Sequence, residues 1–79
     1  MAIKLTVKGG QDCRSMQGID GDIGLYGAFV FKDQLGVPVQ NDDKTWEIYA
    51  TNERLLEILK KRLKLYGLEI INEVKVGHL

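Results

Sequence analysis

Three aspartates, Asp12, Asp20 and Asp22, stand close together among glycines at positions 18, 21, 24 and 27. Carboxylates at such density are hard oxygen ligands, of the kind that hold Ca²⁺ or Mg²⁺. The spacing is not that of an EF-hand loop, which ends on a glutamate at its twelfth position. Glycine-rich backbone also cradles phosphate through its N–H groups. Here Asp20 and Asp22 repel an anion, and no Gly-Lys-Ser/Thr follows to make a P-loop. The stretch GIDGDIGLYG is therefore read first as a tight turn with close backbone packing. A cation site at Asp20 and Asp22, and a glycine hinge, stand as the alternatives.

The only nucleophile–base pair on offer is Cys13 with His78. Cys13 sits in a segment bounded by glycines, and His78 is beside the last residue, where chains fray. One cysteine and one histidine make neither an intrachain disulfide nor a Cys/His zinc cluster. Asp42 and Asp43 are turn chemistry. Asn72 is expected on an inward strand face with a structural hydrogen bond. No catalytic residue, cofactor or metal is expected, and the chain reads as non-enzymatic.

The totals agree with a small globular module. Residues 1–79 make one domain, 44% hydrophobic and 28% charged. Eleven Lys+Arg balance eleven Asp+Glu. Zero net charge argues against binding nucleic acid through bulk charge, though not against a local basic patch. There is no apolar run of membrane-spanning length and no signal-peptide pattern, so a soluble, cytoplasmic protein is expected.

Periodicity supplies the frame. Ala2–Lys8 alternates, with Ile3, Leu5 and Val7 on one face and Lys4, Thr6 and Lys8 on the other, as a half-buried strand does. Residues 11–18 fit a short helix or an ordered loop. Residues 25–32 read as a strand with two apolar faces. Leu25, Phe29 and Phe31 are assigned to the core under a helix, and Tyr26, Ala28 and Val30 to a second face that needs a lid. A long connection over 33–44 contains Pro38. Thr45–Ala50 is the returning strand, with Trp46, Ile48 and Ala50 inward. The clearest helix spans 51–66, capped by Thr51 or Asn52, with Leu55, Leu59, Leu63 and Tyr66 as its inner stripe, widened by Leu56 and Ile58. Gly67 ends it in a left-handed cap. In the last strand, 68–76, Leu68, Ile70, Val74 and Val76 are expected to share one face, and Glu69, Glu73 and Lys75 the other. Lys4 and Lys8 on the first strand complement Glu69 and Glu73, which places these strands side by side.

The fold class is thus α+β: a small four-stranded, mainly antiparallel sheet with one long helix on one face. Its topology resembles a ferredoxin-like two-layer sandwich with a reduced first helix.

Two functions follow as expectations. The first is a protein-interaction or regulatory module, such as an inhibitor of phage or mobile-element type. It would bind a protein partner and self-associate as a homodimer through Tyr26, Ala28 and Val30. The alternative is RNA binding. The helix carries Arg54, Lys60, Lys61, Arg62 and Lys64, and the second strand is aromatic. Ala28-Phe29-Val30 resembles the centre of the RNP1 pattern of RNA-recognition sheets. The flanking basic residue, glycine and final aromatic of that pattern are absent. Arg62 falls inside the apolar arc of its helix, so it is read as snorkelling or as meeting another chain.

Overall fold

The computed structural model describes residues 2–10 and 12–77. Four strands form one antiparallel sheet: β1 (Ala2–Lys8), β2 (Ala28–Val30), β3 (Thr45–Ala50) and β4 (Glu69–Val76), in the order β2-β3-β1-β4. Two helices, α1 (Cys13–Ile23) and α2 (Leu56–Leu65), pack on the same side. One-turn 3₁₀ helices, Gly24–Tyr26 and Glu53–Leu55, extend them to helical segments of 14 and 13 residues. The expectation of one long helix and a reduced first one is corrected: the two are of nearly equal length.

Residues 13–26 are helical for local and tertiary reasons. Asp12 caps α1, its carboxylate accepting the Ser15 N–H at 2.8 Å. That satisfies one of the free donors at a helix start. Met16, Ile19 and Ile23 recur at helical spacing, and all three are buried. Burying three large apolar side chains stabilises by roughly 1.5–3 kcal/mol each. Glycine costs about 1 kcal/mol per helical position. Packing therefore wins over propensity, and GIDGDIGLYG is helical up to Tyr26 rather than a loop.

The glycine spacing does not mark close packing. A Cβ added at Gly18, Gly21 or Gly24 meets nothing within 4 Å. Only Gly27 carries a constraint. Its φ is +71°, and an added Cβ would sit 2.7 Å from Asn52 Cβ.

The core has one centre, around Leu5, Val7, Met16, Ile23, Val30, Trp46, Ile48, Leu59 and Leu63, all sealed from solvent. The alternation foreseen in β1 and β3 holds. In β2 the assignment of faces is reversed. Val30 lies opposite Ile48 and Ala28 opposite Ala50, both core residues. Ala28 and Val30 thus face the helices, while Phe29 and Phe31 lie on the other side of the sheet. Residue 25 leaves the strand altogether. Leu25 is in the 3₁₀ turn, 77% exposed.

The C-terminal end of α2 follows the sequence reading. Gly67 has φ +79°, and the Leu68 N–H bonds the Leu63 carbonyl at 3.0 Å. This is the glycine-capped ending that folds a hydrophobic residue back onto the helix. Asn52 is the cap at the start, its side chain accepting the Arg54 N–H. Ile58, expected to widen the inner stripe, is instead 45% exposed.

In β4 a bulge changes the pattern. Val7 pairs with Ile70 but Thr6 pairs with Asn72, which leaves Ile71 as an extra residue. One inserted residue moves every later side chain to the opposite face. Val74 and Asn72 therefore turn outward, away from the helices, and Glu73 turns toward them. Asn72 is exposed rather than inward. Lys8 does pair with Glu69, at 3.5 Å, as charge complementarity implied. Lys4 faces Val74, not Glu73.

Three substitutions separate helix propensity from backbone strain. Gly18→Ala and Gly21→Ala are each expected to raise stability by about 0.5–1 kcal/mol. Gly27→Ala is expected to lower it by at least about 1–2 kcal/mol through left-handed strain alone. Urea denaturation followed by circular dichroism reads all three.

Candidate functional site

The aspartates singled out by the sequence are each engaged separately. Asp20 accepts the Val30 N–H at 2.8 Å through one oxygen and Lys32 Nζ at 2.7 Å through the other. Asp22 receives Arg62 Nε at 3.0 Å and a terminal guanidinium nitrogen at 2.9 Å. Asp12 caps α1. No group of three or more metal-ligating side chains occurs among the described residues. Asp20 ties α1 to β2, and Asp22 ties α1 to α2. A hydrogen bond with Tyr66, and then the bonds and charge of Arg62, hold the Asp22 carboxyl below the usual range.

The same contacts dismantle the basic patch foreseen on α2. Arg62 turns inward to Asp22, with its guanidinium 5.7 Å from the centre of the Tyr66 ring. It meets Asp22 on α1. Lys60 bonds Glu73 at 2.7 Å. Arg54, Lys61 and Lys64 make no ion pair among the described residues. What remains without an ion pair is Arg54 at the start of the helical segment and Lys61 with Lys64 near its end.

Of the remaining candidate residues, Ala28 and Val30 are under the helices, 6% and 0% exposed. They offer no surface. Tyr26 is half-buried in the 3₁₀ turn, packed against the core. Cys13 is exposed, with its thiol directed at the Pro38 carbonyl, 3.6 Å away. Its proposed partner His78 lies outside the described residues.

Two of the molecule's shallow concavities are lined by described residues alone. One, about 330 Å³, lies between α2 and β4 and is lined by Lys60, Lys64, Leu68, Glu69 and Ile70. The other, about 580 Å³, is lined by Gly27, Thr51, Asn52, Glu53 and Arg54. Neither brings a nucleophile beside a base.

The sheet face opposite the helices is covered by no helix or strand among the described residues. Strand register arranges it in rows. The first row runs Phe29, Tyr49, Lys4, Val74 across all four strands. The Phe29 and Tyr49 rings stack with centroids 5.5 Å apart. Phe31, bonded through its N–H to the Glu47 carbonyl, adds a third ring 6.3 Å from Tyr49. Phe31 is 44% exposed and Val74 41%. The second row is polar: Glu47 accepts from Thr6 Oγ1 at 2.9 Å and from Asn41 Nδ2 at 3.0 Å, and Asn72 lies beyond Thr6. The third holds Thr45, Lys8 and Glu69. Lys4 and Lys8 stand against Glu47 and Glu69, so the face is balanced in charge.

Sequence reading placed the two phenylalanines in the core. The signal that could have reversed this was volume: Ala28 and Val30 are the smaller side chains, which fit where α1 presses on the sheet.

Comparison with protein-family models, with curated proteins and with solved structures found no match to the chain. No helix among the described residues is long and apolar enough to cross a membrane.

The Asp22 contacts set a pH dependence. Its folded-state pKa is depressed, so its stabilisation is complete above the unfolded-state value of about 3.9. It is lost as pH falls through the lower folded value. Asp22→Asn is expected to melt below the wild type at pH 7, with the gap closing below pH about 4. Thermal melts across pH 2–7 check it.

Proposed function

We propose that this chain is a non-enzymatic protein-interaction module built as a ferredoxin-like sandwich. Its docking surface is the open sheet face carrying Phe29, Phe31, Tyr49 and Val74. One observation carries this reading: Phe29, Tyr49 and Val74, with Lys4 between the last two, form a row across the sheet on a face whose charges cancel. Interfaces are enriched in aromatic residues at their centre and ringed by polar groups. Stacked rings already fixed by their strands lose little side-chain freedom on binding, so most of the gain from burying them is retained.

The aromatic trio also favours a second reading, single-stranded RNA stacked on the sheet. Electrostatics weigh against it. Phosphate binding draws on uncompensated Lys and Arg. On this face Glu69 neutralises Lys8, and Glu47 sits beside the aromatic row. The basic helix no longer helps, because its Lys60 and Arg62 are paired internally.

The two readings separate on the bench. The purified protein, immobilised, is expected to retain a defined protein partner from cell extract. Phe31→Asp and Tyr49→Ser should abolish that retention while changing stability by no more than about 1 kcal/mol. Lys61→Glu with Lys64→Glu should leave it intact. Fluorescent single-stranded oligonucleotides should show no binding that depends on these rings. Tight, salt-sensitive oligonucleotide binding lost in Tyr49→Ser would replace this reading with the RNA one.

A further inference from the structure

The two edges of the sheet are treated differently. β2 is three residues long, and the N–H of Val30 is taken by the Asp20 carboxylate. The alternate N–H, that of Phe31, bonds back to β3, so the Val30 N–H points out from the sheet edge, where Asp20 caps it. β4 is eight residues long, lies at the other edge and is exposed along most of its length; the Glu73 N–H is held only by the neighbouring Asn72 Oδ1 at 3.0 Å, an exposed contact that a pairing strand displaces. A long unpaired edge is a template for another strand.

The residues of β4 select the strand. Beyond the bulge, Asn72, Val74 and Val76 lie on the open face, opposite Thr6, Lys4 and Ala2. Glu73 and Lys75 lie on the helix side, opposite Leu5 and Ile3. Two antiparallel copies related by a two-fold axis must pair residues of the same face, so the axis passes through a residue. An axis at Glu73 sets glutamate against glutamate, and one at Lys75 sets lysine against lysine. An axis at Asn72 runs into the bulge and mismatches the faces. An axis at Val74 pairs Glu73 with Lys75 of the other copy, twice by symmetry, and sets Val74 against Val74. Lys75 has no ion-pair partner among the described residues of its own chain. Glu73 holds Lys60 through Oε1 only, which leaves its second oxygen for a lysine.

We infer that the protein forms a two-fold homodimer by antiparallel pairing of residues 72–76 of β4 with the same residues of a second copy, centred on Val74. The two sheets then join into one, with all helices on one side. The row Phe29, Tyr49, Lys4, Val74 continues across the axis into the same row of the second copy. This deepens the docking-face reading, because the dimer presents that face at double length. The pairing itself does not require that the face bind anything.

The test is a charge exchange read by light scattering behind size exclusion. The wild type should show twice the 8.9 kDa chain mass at high micromolar concentration. Lys75→Glu and Glu73→Lys should each weaken the dimer by about tenfold or more, since both symmetric pairs become like-charged. An equimolar mixture of the two variants should recover the dimer, because every pair is then Glu with Lys. Val74→Lys, which sets two lysines face to face without touching the Lys60 bond, should also be monomeric. Circular dichroism confirms that each variant is folded. A wild type that stays monomeric overturns the inference. So does a dimer unaffected by these three variants, or one dissociated by Phe31→Asp instead. That last result would place the contact on the open face. Loss of partner binding with an intact dimer, or the reverse, distinguishes this inference from the docking reading.

Discussion

Helix α1 is held by the rest of the molecule more than by its own sequence. It contains two glycines and ends on a third, so its intrinsic stability is low. Three buried side chains and two aspartates keep it in place. Asp20 reaches β2, and Asp22 reaches Arg62 on α2. Charge-assisted hydrogen bonds are directional, and each of these fixes an angle as well as a distance. Once α1 lies across β2, the side of the sheet that must be covered is settled.

That placement has a consequence on the far side. With α1 and α2 both on one face, no element of the described chain is left for the other. The face holds Phe29, Phe31, Tyr49 and Val74 instead of the uniformly polar residues of a solvated sheet. The polar groups between them are satisfied locally. Glu47 accepts from Thr6 and Asn41, and Lys8 meets Glu69. The result is a row of apolar side chains, with Lys4 among them, on a face whose formal charges balance. The same ion pairs that organise the helices, Lys60 with Glu73 and Arg62 with Asp22, remove cations from the surface and quiet the helix electrostatically.

The bulge at Ile71 has the second large effect. Without it, Val74 would face the helices and Glu73 would stand out on the open face. With it, Val74 completes the apolar row and Glu73 comes within reach of Lys60. A single extra residue thus decides the composition of both faces at that edge. It also ends regular pairing there, one of the ways exposed edges are kept from unlimited association.

Much was legible in the sequence alone. The alternation of Ile3, Leu5 and Val7, and of Trp46, Ile48 and Ala50, fixes two strands, because a period of two has one interpretation. The leucine stripe ending at Gly67 fixes α2 and its cap. Opposite charges at Lys8 and Glu69 rightly made the first and last strands neighbours. The tertiary structure alone decided three things. It made residues 13–26 helical, because burial of Met16, Ile19 and Ile23 outweighs a glycine penalty that local reading counts in full. It chose between the two apolar faces of β2, since both alternate equally well and only the fit beneath α1 breaks the tie. It placed the bulge in β4, a two-residues-against-one arrangement that exists only relative to β1. Local pattern specifies an element where one face is plainly apolar. Where both faces are apolar or glycine interrupts the period, packing against a distant segment supplies the missing free-energy difference.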